Sequence, residues 1–475
     1  MKTQSDKKRL ITLWRLTFIA VAFLFSASVA RAVNYDESAV GTFTLPDPLT
    51  LQNGQPVRDT NDWVHLRRPE ILKFYQGYIY GGSAKWRNMI DKVWEVDGHA
   101  LGGLAVRKQI NLEFYNYNRY GTNNNPTNDL FLHVLLYLPA AVTNPAPVFL
   151  CLSSSGNYTA VDDTNVVIYP VWDHQTDTRA MPTNLDRGTS PDWNIWEMIQ
   201  RGYGIALLDY NEIEPDLDDG SGWQHGVRSL YMKPGETNAA PDDWGAISAW
   251  AWGASRVMDY LVTDKSVDAK RVIMFGHSRL GKAALWAGAQ DTRFAMVIAS
   301  CSGKMGAALS HRDYGETVTN LCRVFPYWFS QNFLDYSNHT DELPVDSHML
   351  ISLIAPRPLY LSTGSFDQWN DPRGEFEAAI AASPVYNLFG EQGVVTNLPP
   401  DCATNGSGSI LTSSVLEGYS PPPSDAPIMR DIGYSIHTGK REVLPEDWRR
   451  FLDFADLHFH GATRQNPASE AKATP

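Results

Sequence analysis

The sequence predicts an α/β fold, a mostly parallel sheet sandwiched between helices, and three observations carry that expectation. Short continuous apolar runs at 148–152, 203–210, 272–275, 295–299, 358–363 and 432–437 have the length and hydrophobicity of strands buried on both faces. Stretches with helical spacing lie between them, the clearest at 242–261, where Trp244, Ile247, Trp250, Ala251, Ala254, Val257, Met258 and Leu261 recur with a helical period. Its tryptophans, Trp244, Trp250 and Trp252, read as core packing rather than as ligand platforms. The alternation continues through most of the chain, which favours one large domain over the two or three that length alone suggests.

Taken in order, residues 1–32 begin with Lys2, Lys7, Lys8, Arg9 and Arg15, run through an apolar stretch over 16–30, and end on Ala30-Arg31-Ala32. A basic start, an apolar middle and a small-residue cleavage site describe a secretory signal peptide cut after Ala32, so a secreted or periplasmic protein is expected. An uncleaved anchor is the alternative, but the apolar run is short for a bilayer span, and no later run is long and apolar enough. Six basic residues and one acidic residue leave with the leader, taking the net charge from −13 to −18. Such a surplus of acid argues against nucleic acid as a partner.

The four cysteines are too few for a disulfide scaffold in a chain of this size. Cys151 lies in an apolar run and reads as a buried thiol, while pairing among Cys301, Cys322 and Cys402 stays open. No Cys or His cluster has zinc-ligand spacing, so no metal is expected.

Arg68-Pro69-Glu70-Ile71-Leu72 starts a helical stretch with proline in its first turn, and β-like runs follow at 109–115 and 130–138. The run at 148–152 opens into Ser153-Ser154-Ser155-Gly156-Asn157. Open α/β sheets bind ligands at the carboxyl ends of their strands, so Gly156 and Asn157 are candidates to line a pocket, with a plain turn as the alternative. The run at 203–210 leads into an acidic segment, 211–222, and 445–458 reads as a terminal helix. Segment 399–427 is rich in Ser, Gly and Pro, which predicts a surface insertion without regular structure inside a domain spanning 33–461. The tail, 462–475, is expected to be disordered.

Residues 271–288 organise the rest. The apolar run there ends at Gly276, Ser278 follows, and Lys282, Ala283, Ala284, Leu285, Trp286 and Ala287 are good helix formers with an apolar face. Strand, tight turn and helix form the setting of a nucleophile elbow, which lifts a serine above the sheet and aims amide N–H groups at a developing oxyanion. The specific expectation is therefore an α/β-hydrolase fold. The second glycine comes one residue later than in G-x-S-x-G, and a serine capping an ordinary strand-to-helix turn is the alternative.

The variant Gly276-His277-Ser278-Arg279-Leu280-Gly281-Lys282 resembles the G-C-S-R-x-G-K signature of the glucuronoyl esterases, carbohydrate esterase family 15, with His277 for the cysteine as in many bacterial relatives. The resemblance extends from Asp62 to His460. A serine hydroxyl needs a base to take its proton and an acid to orient that base, and α/β hydrolases supply them in the order Ser, Asp or Glu, His. Asp367 follows the 358–363 strand where the acid belongs, with Asp371 as its competitor. The resemblance favours Asp367, since Asp367-Gln368-Trp369-Asn370-Asp371-Pro372 matches a D-x-W-x-D-P stretch whose first aspartate is the acid in bacterial members. The fungal acid position corresponds to Cys301, which closes that route.

The histidine departs from the pattern. Bacterial relatives end the last strand with a stretch like G-Y-H-I-R-x-G-x-H, whose final histidine is the base, whereas this chain reads Gly433-Tyr434-Ser435-Ile436-His437-Thr438-Gly439-Lys440-Arg441. Arg441 occupies the base position, and a guanidinium stays protonated at neutral pH. His437, four residues earlier, is taken as the base on condition that the loop is rearranged; the alternative is a histidine that only packs beside the site. His348 lies in a stretch that looks structural, and nothing positional supports His311 or His339.

By the same resemblance Arg279 helps stabilise the oxyanion, Lys282 and Glu316 bind sugar hydroxyls, and the Trp369 indole N–H binds the sugar. Solvated charges at a helix start and a core tryptophan are the plain alternatives. The implied reaction is hydrolysis of the ester between 4-O-methyl-glucuronic acid of xylan and a lignin-type alcohol, with no cofactor. The implied partner is glucuronoxylan or a lignin-carbohydrate ester, and a monomer is expected. Two other readings remain. One is another carbohydrate esterase, such as an acetyl xylan esterase, which would not need Lys282, Glu316 and Trp369. The other is a weakly active or inactive carbohydrate-binding relative, suggested by Arg441.

Overall fold

Nine strands pair into one sheet: β1 (Met89–His99), β2 (Ala105–Phe114), β3 (Leu130–Pro139), β4 (Ala146–Ser153), β5 (Gly204–Asp209), β6 (Val267–His277), β7 (Met296–Ser300), β8 (Leu359–Gly364) and β9 (Ile432–His437). Their spatial order is β9-β8-β7-β6-β4-β5-β3-β2-β1. The computed structural model describes residues 33–460 apart from 85–88, 115–129, 142–143, 174–175, 183–186, 191–192, 232–239 and 396–410. Strands β4 to β9 run parallel, and β1, β2 and β3 extend the sheet antiparallel at one edge.

Alternate residues of the parallel strands feed two separate cores. Val148, Leu150, Val272, Met274, Val297 and Leu361 point to one face, covered by α1 (Ala246–Leu261), α2 (Arg279–Gln290) and α3 (Pro372–Leu388). Phe149, Cys151, Ile273, Phe275, Ile298 and Tyr360 point to the other, covered by α4 (Pro445–His460) through Trp448, Phe451 and Phe454. Each such large side chain contributes about 1.5–3 kcal/mol of burial, which is why these strands read as unbroken apolar runs. Trp244, Trp250 and Trp252 are core residues, as their spacing predicts.

Two expectations need correction, and one strand carries no sequence signal. Strand β1 has no buried residue, and Ile90, Val93 and Val96 are exposed, so it carries no two-residue apolar pattern to find. The insertion is not wholly irregular: Leu411–Thr412 pairs antiparallel with Thr44–Leu45, and Ser413–Leu416 is a helical turn. The helical stretch expected from Arg68 starts earlier, at Thr60. Cys151, Cys301 and Cys322 are free thiols. The leader, Cys402 and the tail lie outside the described residues. Among the described residues no helix is long and apolar enough to cross a membrane, and no His, Cys, Asp and Glu group could hold a metal ion.

The sheet register converges the functional loops. His277 pairs with Ser300, Ser300 with Ser362, and Ser362 with Ser435, so the chain leaves β6, β7, β8 and β9 at one edge. Ser365 N donates to His437 O at 2.8 Å and Phe366 N to Gly439 O at 2.7 Å, tying the β8 and β9 exits together.

Candidate active site

Ser278 sits between β6 and α2 with φ 56° and ψ −124°, a left-handed region that costs a non-glycine residue about 1–3 kcal/mol. Its neighbours make room for that turn. A Cβ on Gly276 would run into the Leu280 carbonyl oxygen, and one on Gly281 would lie 2.9 Å from Ser302 Cβ. The serine makes no side-chain cap bond to α2, so it is an elbow and not an N-cap.

Above it opens a cavity of about 310 Å³ lined by Ser278, Arg279, Lys282, Glu316, Asn320, Val324, Phe325, Trp328, Trp369, Asn370 and Arg441. Five residues singled out from the sequence, Ser278, Arg279, Lys282, Glu316 and Trp369, thus meet in one place, with Arg441 facing the serine's cavity as well. Gly156 and Asn157 do not line it; the Asn157 amide is spent on His133 O at 2.7 Å.

The wall formed by Lys282, Glu316 and Trp369 is a connected set. Trp369 Nε1 donates to Glu316 Oε1 at 3.1 Å, Glu316 N donates to Trp369 O at 2.8 Å, and Lys282 Nζ donates to Ser302 O at 2.6 Å while lying 3.6 Å from Glu316 Oε2. Burial lowers the Lys282 pKa, and the Glu316 carboxylate opposes the shift. Glu316 Oε2 is buried with no hydrogen bond. An unmade bond at such an oxygen costs about 1–3 kcal/mol, so a ligand hydroxyl is favoured there.

Arg279 is held from behind by Asp216, and its guanidinium lies 5.0 Å from the Trp328 ring centre. Asp216 also accepts from Trp328 Nε1 at 2.7 Å, Tyr327 OH at 3.0 Å and Tyr210 OH at 3.2 Å. The sequence marked 211–222 only as acidic; nothing in it singled out Asp216 as the anchor of Arg279. Asp216→Asn weakens that anchor while keeping its shape. The expected result is a several-fold fall in kcat on a glucuronate ester with KM little changed, and an unchanged kcat would show that Arg279 needs no anchor.

Asp367 lies just beneath the site. Its Oδ2 accepts from Asn370 Nδ2 at 2.6 Å, and that amide also reaches Cys301 O at 2.9 Å. Burial raises the Asp367 pKa, while Asn370 and the charges of Arg441 and Lys282 oppose the shift. The competitor Asp371 is committed elsewhere, to Lys304 Nζ and Arg312 Nη1 at 2.7 Å each and to Gly374 N at 3.0 Å. Glu375, which the sequence reading passed over, lies behind Ser302 and Gly303, and burial pushes its pKa up to about 8.

His437 is not among the residues that line the Ser278 cavity. Its Nε2 meets Lys440 O at 3.0 Å, so it carries a proton, and its Nδ1 lies 3.0 Å from Asp447 Oδ2, close enough for an ion pair though not aligned for a hydrogen bond. Burial works against the charged ring, but Asp447 outweighs it and raises the pKa. With Nε2 donating to Lys440 O and Nδ1 turned to Asp447, neither ring nitrogen is directed at the cavity, and the ring lines no part of it. His277 is also outside the lining; its Nδ1 meets Ser300 Oγ at 3.2 Å, and burial pushes its pKa down to about 4. His348 is buried against Pro46 O at 2.8 Å, His311 pairs with Asp346 at 2.7 Å, and His339 is an exposed residue beside Glu342.

A serine on a strained turn between a parallel strand and a helix, opening on a polar cavity, defines a serine hydrolase of the α/β-hydrolase class. A family model described as glucuronyl esterase, fungi, matches residues 200–390. Carbohydrate esterase MZ0003, from an unknown prokaryotic organism, is 37% identical over 436 residues, covering 91% of this chain and 93% of that one. 4-O-Methyl-glucuronoyl methylesterase 1 of Wolfiporia cocos is 33% identical over 400 residues, covering 81% of this chain and 83% of that one. The solved glucuronoyl esterase from Solibacter usitatus superposes with a TM-score of 0.79 at 41% identity, covering 89% of this chain and all of the other. The chain belongs to the glucuronoyl esterases, carbohydrate esterase family 15.

Proposed function

We propose that this protein hydrolyses esters of 4-O-methyl-glucuronic acid in glucuronoxylan, with Ser278 as the nucleophile. One observation carries the reading: the elbow serine shares a cavity with Lys282, Glu316 and Trp369, where Glu316 Oε2, ion-paired with Lys282 but accepting no hydrogen bond, is open to a sugar hydroxyl. In the proposed reaction Ser278 Oγ attacks the C6 carbonyl, while the Arg279 guanidinium and a backbone N–H at the start of α2 hold the oxyanion. Asp367 supplies the acid of the site. No imidazole lines the cavity among the described residues, so the Ser278 proton goes to water, water protonates the departing alcohol, and a second water cleaves the acyl-serine to restore the hydroxyl and release the uronate. An oxyanion hole and substrate binding alone leave about 10³–10⁴-fold catalysis over water when a triad member is missing, so turnover is slow but real. The protein is read as a monomeric single domain, 33–461, exported by its leader and acting on esters of lignin-type alcohols.

The test compares a benzyl glucuronate ester with a simple acetate ester. Lys282→Ala, Glu316→Ala and Trp369→Ala each remove a bond worth about 0.5–1.5 kcal/mol, or up to about 3 where charge is involved. KM for the glucuronate ester is expected to rise several-fold or more, with acetate hydrolysis unaffected. Equal losses on both esters would assign these residues to stability and reopen the acetyl esterase reading.

A further inference from the structure

The cations around Ser278 are not equally compensated. Arg279 is paired with Asp216, and Lys282 lies 3.6 Å from Glu316. Arg441 also lines the cavity, is solvent-exposed, and has no hydrogen bond or ion pair within 4.0 Å among the described residues. Asp367 feels its charge but is engaged with Asn370. Arg441 is therefore the cavity cation whose guanidinium donors are left unengaged among the described residues.

That placement discriminates between an ester and an acid. With the sugar ring held by Lys282, Glu316 and Trp369, carbon C6 comes to Ser278, between Arg279 and Arg441. An ester there is neutral, whereas the free uronate carries a full negative charge with the planar two-oxygen geometry that a guanidinium matches.

We propose that Arg441 makes the Ser278 cavity a receptor for the free uronate carboxylate, so that the protein binds glucuronate more tightly than its neutral derivatives. This rests on the sugar placement proposed above. Free uronate then competes with ester for the same cavity and holds the enzyme in a product-bound state.

Calorimetric titration of the mature chain tests this with three probes: sodium glucuronate, the neutral and hydrolysis-resistant glucuronamide, and xylose. Glucuronate is expected to bind at least about tenfold more tightly than glucuronamide, as charge-assisted bonds require, with the preference shrinking as salt is added. Arg441→Gln is expected to bring the two affinities together while leaving glucuronamide affinity within about twofold. Equal affinities in the unaltered protein, or a preference that survives Arg441→Gln, would overturn the proposal while leaving the sugar site intact. Binding of neither uronic probe by folded protein would overturn the proposal and the sugar placement together.

Discussion

Replacing Arg441 by histidine raises kcat on a benzyl glucuronate ester by about 10²–10⁴-fold, the range that a positioned general base contributes. Position 441 lines the cavity with Ser278, and Asp367 lies near enough for the Arg441 charge to act on its carboxyl group. An imidazole there restores the order serine, acid, histidine around a nucleophile already held in its strained conformation. His437→Ala is expected to change kcat little, because that ring is already engaged with Lys440 O and Asp447. The measurement is kcat for both variants on the same ester, with melting temperatures to exclude loss of fold. No gain from Arg441→His, together with collapse on His437→Ala, would return the base to His437 and require the loop to rearrange during turnover.

Ser278→Ala is the second large effect, and its size depends on what stands at 441. In the Arg441→His background it removes the whole gain and returns kcat to about the residual level of the unaltered protein, because nucleophile and base act as one unit. In the unaltered protein the same substitution has less to remove, so the two changes are strongly non-additive. Circular dichroism should show an unchanged fold, since alanine meets the same backbone demand as serine at φ 56°. A kcat of the Arg441→His variant that Ser278→Ala leaves undiminished would eliminate the serine mechanism.

The parallel half of the sheet was legible because its strands are buried on both faces, leaving unbroken apolar runs at β4 to β9. The elbow was legible because glycines stand at 276, where the Leu280 carbonyl leaves no room for a side chain, and at 281, which packs closely on Ser302. Strand β1 was not, since its side chains meet solvent on both faces. Lys282, Glu316 and Trp369 were identifiable only through the family resemblance; taken singly, a lysine, a glutamate and a tryptophan have plainer uses. Asp216 was invisible because it acts through Arg279, 63 positions away. The engagement of His437 was equally hidden: its partner Asp447 comes from α4, and a sequence pattern records no direction for a ring.

The loop after β9 is fastened without help from the side chain at 441. His437 Nε2 holds Lys440 O at 3.0 Å, Phe366 N holds Gly439 O at 2.7 Å, and Lys440 N meets Glu442 Oε1 at 3.3 Å. The loop is thus a tool holder, and residue 441 is the exchangeable tip. A single-codon change at the tip can switch the same scaffold between gripping an acid and cleaving its ester, with the mounting left untouched.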